Sequence, residues 1–385
     1  MTHYLFQFGR DITIAKLELL SVFKRDEVNY HVVIDADEYI VLELDEGDLE
    51  HVWANIAGSI KVAKVFSRQE LVNADFLDTI DFYFPKNYNL FLTLLGDQSN
   101  TLDFESAIHK YCKTHKLRGT IKRLDSHDPL KARTSYEKDS ESSCEVIIVR
   151  DKKEWVISQV VEYADPKEYY YLDTKRPVQR FSHGTSFRLA TMMVNILGLE
   201  KGKTFVDPFC GIGTFLMIGM LQGYNSVGID IDGSVFEGAR QNIAWLKEQI
   251  GSDLSVRIIH GDSAKEEFSA DACVFEPYMG PFLKELPTER DARKEMQKLY
   301  NLYLDIFKNV YKHMAPHARI VCILPEFQTQ EGTVVPLPKD IFKQRNFQLV
   351  DLGKEFPNVS LTNPIEYTTP DGSRILRKLW IAEKG

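Results

Sequence analysis

Thr204-Phe205-Val206-Asp207-Pro208-Phe209-Cys210-Gly211-Ile212-Gly213-Thr214 reads as a buried strand running into a glycine-rich turn. Val227-Gly228-Ile229-Asp230 follows about one strand-helix-strand unit later. The glycines let backbone approach a ligand closely, and a carboxylate closing the next strand can accept both hydroxyls of a ribose. The stretch predicts an α/β domain with a Rossmann-like parallel sheet and a nucleoside-bearing cofactor at its carboxyl edge.

A nicotinamide or flavin cofactor would use a similar turn, but its third glycine is absent: that position holds Leu216. Asp207 also opens the turn, and an acid there repels a pyrophosphate while suiting a cationic ligand. The residues therefore favour S-adenosylmethionine over a dinucleotide. Further on, Ala272-Cys273-Val274-Phe275 leads into Glu276-Pro277-Tyr278-Met279-Gly280-Pro281. An acid, a proline and an aromatic in a row suit methyl transfer to an exocyclic amine. Hydrogen bonds from the amine to the carboxylate and to the Pro277 carbonyl would orient it and support its developing positive charge. Tyr278 would stack on the base.

Around this core, residues from about 182 alternate helices and strands. Helices are predicted at 187–197, 215–221 and 235–249, and strands at 256–259, 272–275 and 320–324. A closing pair at 347–353 and 375–382 is expected as an antiparallel finish, with Pro370-Asp371-Gly372 as a turn signal. Upstream, strand, helix, strand, strand, helix, strand over residues 3–66 is the order of a ferredoxin-like layer. A second α+β unit follows, with strands at 89–95, 119–122, 145–149 and 155–161 and a helix at 104–116. The stretch Tyr169-Tyr170-Tyr171-Leu172-Asp173-Thr174-Lys175-Arg176-Pro177 has little periodicity and is taken as a linker.

The 385 residues, 44% hydrophobic and 27% charged, suffice for two or three globular domains. No run of about eighteen apolar residues exists and the opening residues resemble no leader, so a cytosolic, membrane-free protein is expected. Five scattered cysteines form no CxxC pair and are expected as reduced thiols, with Cys210 and Cys273 buried beside the pocket. The net charge of -9 disfavours nucleic acid on average. Residues 110–138 reverse it locally: nine basic residues (Lys110, Lys113, Lys116, Arg118, Lys122, Arg123, Lys131, Arg133 and Lys138) stand against three acids. Beside a site for base amines, that surplus predicts RNA contact.

Asp207-Pro208-Phe209-Cys210-Gly211, Gly228-Ile229-Asp230-Ile231-Asp232, Gly261-Asp262 and Glu276-Pro277-Tyr278 resemble the ordered motifs of class I N-methyltransferases acting on bases. With Tyr171–Pro177 and the helix Ser186–Asn195, the chain resembles the THUMP-containing tRNA guanosine-10 N2-methyltransferases. The resemblance implies a ferredoxin-like domain over 1–68, a THUMP RNA-binding domain over 69–164, a linker over 165–181 and the Rossmann-like methyltransferase domain over 182–385. It implies that Asp207 and the backbone of Phe209, Cys210, Gly211 and Gly213 surround the methionine part of S-adenosylmethionine. Asp230 would hold the ribose, Asp262 the adenine amino group, and Thr185 the methionine carboxylate.

By the same resemblance Glu276, Pro277 and Tyr278 act on the target guanine, in a direct displacement needing no metal. The family usually has Asp or Asn with two prolines and an aromatic, so Glu276 departs from it by one methylene. A carboxylate can accept from guanine N1–H and N2–H together, whereas adenine offers N1 as an acceptor. Phe282 and Tyr300 are candidates for packing the target base, which must be turned out of its stack. tRNA is the implied partner of a monomer, and a small activating protein accompanies some relatives. Methylation of another RNA or DNA base amine, and tRNA binding without turnover, stay open as alternatives.

Overall fold

The computed structural model describes residues 1–69, 87–96, 101–124, 143–151, 154–179, 185–367 and 373–385. The chain divides into two compact units that are not contiguous in sequence. One comprises residues 1–12, 28–53 and 59–164; the other comprises 13–27, 54–58 and 165–385.

The first unit is built on β1 (Thr2–Phe8), β2 (Tyr30–Asp35), β3 (Tyr39–Leu44), β4 (Ser59–Gln69), β5 (Asn87–Gly96), β6 (Arg118–Leu124), β7 (Ser143–Asp151) and β8 (Glu154–Tyr163). Two blocks expected as separate domains share one eight-stranded sheet, ordered β2-β3-β1-β4-β8-β7-β5-β6. The join is made by β4, which runs to Gln69 and pairs antiparallel with β8 from Lys61↔Tyr163 to Gln69↔Trp155. β7 reads as a continuous apolar run because both its faces are covered. Val146 and Ile148 pack in one core with Ala107, Ile108 and Cys112, while Ile147 and Val149 pack in another with Leu5, Val41 and Ala63.

Lys61 and Glu145, both fully buried, form an ion pair at 2.5 Å inside this sheet. Tyr163 donates to Glu145 at 2.7 Å and Thr93 donates to its other oxygen, so both carboxylate oxygens are satisfied inside the sheet. Among the described residues of this half lie the helices α1 (Ile12–Arg25), α2 (Glu46–Asn55) and α3 (Thr101–Thr114), of which α1 belongs almost wholly to the second unit.

The second unit continues with α4 (Pro166–Lys175), α5 (Phe187–Ile196), β9 (Thr204–Asp207), α6 (Thr214–Gln222), β10 (Asn225–Asp230), α7 (Gly233–Ile250), β11 (Val256–His260) and β12 (Ala270–Phe275). It ends with α8 (Glu289–His313), β13 (Met314–Gln328), β14 (Val334–Val335), α9 (Asp340–Lys343), β15 (Phe347–Leu349), α10 (Leu352–Glu355), β16 (Ile365–Tyr367) and β17 (Ile375–Lys384). The sheet runs β11-β10-β9-β12-β13-β17-β15. The first five are parallel, and β17 inserts antiparallel between β13 and β15.

Three local expectations need correcting. The 169–177 stretch is helical as far as Lys175, because Asp165 caps α4 by accepting from Lys167 N at 2.8 Å and Pro166 occupies its first turn. The strand expected over 347–353 stops at Leu349, where Asp351 caps α10 instead. The 25-residue α8 was not anticipated, although Ala292, Met296, Leu299, Tyr303, Ile306 and Val310 recur at helical spacing on its buried side. Pro370-Asp371-Gly372 lies outside the described residues.

Segments 13–27 and 54–58 are bound into the second unit through Glu18, which is fully buried. Its carboxylate accepts from Ala57 N at 2.9 Å, Gly58 N at 2.6 Å and Asn195 Nδ2 at 2.7 Å. Desolvation pushes its pKa up to about 7 despite those donors. Gly58 is obligatory: a Cβ there would stand 2.3 Å from Ala15 Cβ. Replacing Glu18 with Ala strands three donors, so we expect a loss of about 2–4 kcal/mol in chemical denaturation. A midpoint unchanged from wild type would remove this contact from the fold's stability.

Candidate functional site

The strand order of the second sheet reverses between the parallel strands β9 and β12, so a crevice opens beyond the carboxyl ends of those strands. Asp207 ends β9, Asp230 ends β10 and Glu276 follows the last residue of β12. The turn after β9 is shaped by Gly211 (φ +51°) and Gly213 (φ +86°), in the left-handed region that favours glycine. Gly228 answers a different demand: a Cβ there would lie 2.5 Å from Leu216 Cδ1 and 2.9 Å from Cys210 Cβ. Leu216, which stands where a dinucleotide turn would have glycine, thus packs against β10.

Asp207 is buried, and its carboxylate accepts from Phe209 N at 3.0 Å. Burial drives its pKa well above the usual carboxylate range, and the charges of Asp230 and Glu276 add to the rise. Asp230 fastens the turn to β10, accepting from Gly211 N at 2.8 Å and from Asp232 N at 2.9 Å. A carboxylate has about four acceptor sites, so two remain for ribose hydroxyls. Asp262 is half-exposed; it accepts from Ala264 N at 3.0 Å and pairs with Lys265 at 2.8 Å, a contact that holds its carboxyl below the ordinary range.

Glu276 is mostly buried, and each carboxylate oxygen meets a protein donor. Thr185, expected beside a methionine carboxylate, donates its hydroxyl hydrogen to Oε2. Arg377 of β17 lies 3.3 Å from Oε1. The Tyr278 carbonyl accepts from Tyr303 at 2.6 Å, which pins the backbone of a residue that is 54% exposed overall. Phe282 is exposed as well, but Tyr300 packs against the core and donates to Asp340, so it is not placed as a base contact. Phe209 packs on Phe275, with ring centroids 5.6 Å apart.

Cys210 and Cys273 are buried thiols with pKa values pushed up by desolvation, which keeps them neutral and apolar in character. Three contributors escaped the sequence reading. Asn242 of α7 donates to Ile212 O at 2.9 Å and Val178 O at 3.0 Å, clamping the glycine turn. Arg176, from the expected linker, donates to Thr214 Oγ1 at 2.8 Å and lies 5.0 Å over the Phe187 ring. Arg377 is the third.

In the first unit, Lys110 and Lys113 are exposed on α3, Lys116 follows that helix, and Arg118, Lys122 and Arg123 are exposed on the edge strand β6. Arg123 forms an ion pair with Glu105. Lys131, Arg133 and Lys138 lie outside the described residues.

Residues 176–334 match the family model described as UPF0020, RMKL-like, methyltransferase domain. That match covers less than half of the chain and gives its C-terminal part as a Rossmann-like methyltransferase domain. A tRNA (guanine(10)-N2)-dimethyltransferase of Methanothermobacter thermautotrophicus is 29% identical over 171 residues, 44% of this chain and 47% of that protein. One from Methanocaldococcus jannaschii is 35% identical over 88 residues, 23% of this chain and 25% of that protein. The chain's matches thus span about half or less of these relatives' length.

The crystal structure of TrmN from Thermus thermophilus covers the whole of both chains at a TM-score of 0.55 and 12% identity, a likeness of fold. Asp207, Asp230, Asp262 and Glu276 fall within the residues matched by the family model. The family match itself stops at 334, so Arg377 falls outside it.

Proposed function

We propose that the protein transfers methyl groups from S-adenosylmethionine to the exocyclic N2 of a guanosine in tRNA, position 10 being the expected target. The observation that carries this reading is the convergence of Asp207, Asp230 and Glu276 on the switch point of a methyltransferase sheet. The residues fit the cofactor. Asp207 is a buried acid repelled by two others, an environment that a ligand cation relieves, and the left-handed glycines bring backbone to the crevice. When bound, S-adenosylmethionine supplies an electrophilic methyl on a sulfonium.

The remaining work belongs to the chain. Asp207 balances the positive charge of the methionine part, with the backbone of Phe209, Cys210, Gly211 and Gly213 around it. Asp230 accepts from the ribose and Asp262 from the adenine amino group. Glu276 and the Pro277 carbonyl accept from the target amine, which raises electron density on its nitrogen and takes up charge as the bond forms. The exposed Tyr278 offers a stacking face to an unstacked base.

The blocks over 1–68 and 69–164 serve, in this reading, as ferredoxin-like and THUMP elements that hold tRNA, as a monomer in the cytosol. A small activating protein is part of the same proposal. Among the described residues no helix is long and apolar enough to cross a membrane. Incubation with labelled donor and bulk tRNA, followed by mass spectrometry of nuclease digests, tests the assignment: methyl groups on guanosine N2 are expected, and label on another base or none would overturn it.

If Lys110, Lys113 and Lys122 neutralise phosphates, tRNA affinity falls steeply with salt. Replacing all three with Ala should then flatten the slope of log affinity against log salt by about 2–3. An unchanged slope would move the RNA elsewhere.

A further inference from the structure

Arg377 comes from the last strand of the sheet, opposite Pro325 in the antiparallel β13–β17 ladder, yet its guanidinium reaches the acid that follows β12. Three features of this pair go beyond a surface ion pair. Glu276 is largely buried, with 12% of its side chain exposed, and its second oxygen already accepts from Thr185. Arg377 is partly open at 38%, so part of its side chain stays accessible beside the acid. Its guanidinium carbon also stands 5.8 Å from the centre of the Tyr367 ring on β16, within the range at which a ring face attracts a cation.

Each oxygen of Glu276 keeps one acceptor site after these contacts, and Arg377 has five N–H donors of which the ion pair uses a part. The pair therefore presents acceptor, acceptor and donor side by side. Guanine carries the complement on one edge: N2–H and N1–H as donors, then O6 as an acceptor. Adenine carries an acceptor at N1 and donors at N6, which sets like against like across the same edge.

We propose that Arg377 determines specificity at this site by donating to guanine O6 while holding Glu276 against N1–H and N2–H. The inference rests on the guanine reading above. It gives Arg377 two tasks, contact with the base and orientation of the acid, and both fail together when its donors are removed.

The test compares wild type with Arg377→Met and Arg377→Lys on tRNA transcripts bearing guanosine or 2,6-diaminopurine riboside at the modified position. The analogue keeps the 2-amino group but replaces O6 with an amino group and N1–H with an acceptor. Wild type should prefer guanosine strongly, and Arg377→Met should lose about 10²-fold in kcat on guanosine, with its preference collapsing toward unity. Arg377→Lys, which retains a charge but not the fork, should recover part of the rate and little of the preference.

Binding of the cofactor analogue sinefungin, followed by calorimetry, should match wild type in both variants and reports an intact fold. If wild type methylates guanosine and Arg377→Met keeps both rate and preference, this proposal falls alone. If wild type modifies a base other than guanine, the substrate reading falls and takes this proposal with it.

Discussion

Glu276→Ala should abolish methyl transfer, with kcat down about 10³-fold, while binding of the methyl donor changes little. The size follows from what the side chain does in the proposed reaction. It is the acceptor placed at the amine, partly withdrawn from water, and charge developing on that nitrogen has no other carboxylate assigned to meet it. Removing it also leaves the Thr185 hydroxyl and the Arg377 guanidinium without their partner. Single-turnover rates at saturating donor and tRNA give the measurement. Turnover within a few-fold of wild type would mean that the acid only braces β12 against β17.

Asp207→Asn should separate ligand binding from folding in opposite directions. Asparagine keeps an oxygen that can accept from Phe209 N, so the turn is retained. The buried Asp207 carboxyl titrates well above the ordinary carboxylate range. Its contribution to stability is therefore complete below that range and is lost as pH rises through the raised folded-state value. The Asn variant should be at least as stable as wild type at neutral pH and less sensitive to pH over that window. Its affinity for the cationic donor should fall by about 10- to 100-fold, because the anionic partner is gone. In wild type, binding should tighten as pH climbs and release protons to buffer, which calorimetry in buffers of different ionisation enthalpy detects. Proton release persisting in Asp207→Asn would assign the titration to another group.

The parts of this site that were legible in the sequence are those fixed by neighbours in the chain. Gly211 and Gly213 mark a left-handed turn, and the Asp230 carboxylate follows at one strand-helix-strand spacing, so a local pattern carries them. Arg377 is different. Its place beside Glu276 exists because β17 inserts between β13 and β15, a long-range pairing that an isolated Arg-Lys pair on a strand does not announce. Asn242 likewise looks like an ordinary polar residue on a helix until its amide is seen to hold Val178 and Ile212. The missed α4 has a physical reason too. Tyr170 and Tyr171 are exposed while Leu172 is buried, so the residues that usually mark a core face point outward. The start signal, Asp165-Pro166, was present but had no apolar stripe behind it.

Asn195 sits at the meeting of four segments. It donates to Glu18 and to the Asn55 carbonyl, and accepts from Arg25 and Gln222. Two of those segments, 13–27 and 54–58, are encoded between strands of the first sheet, so no single cut in the gene yields a complete second unit. A fragment beginning near residue 165 would begin life with a socket and no plug. For this protein, recombination by simple cassette exchange is closed: a new first unit can be grafted on only if it brings, or spares, the early helix that the second unit has claimed.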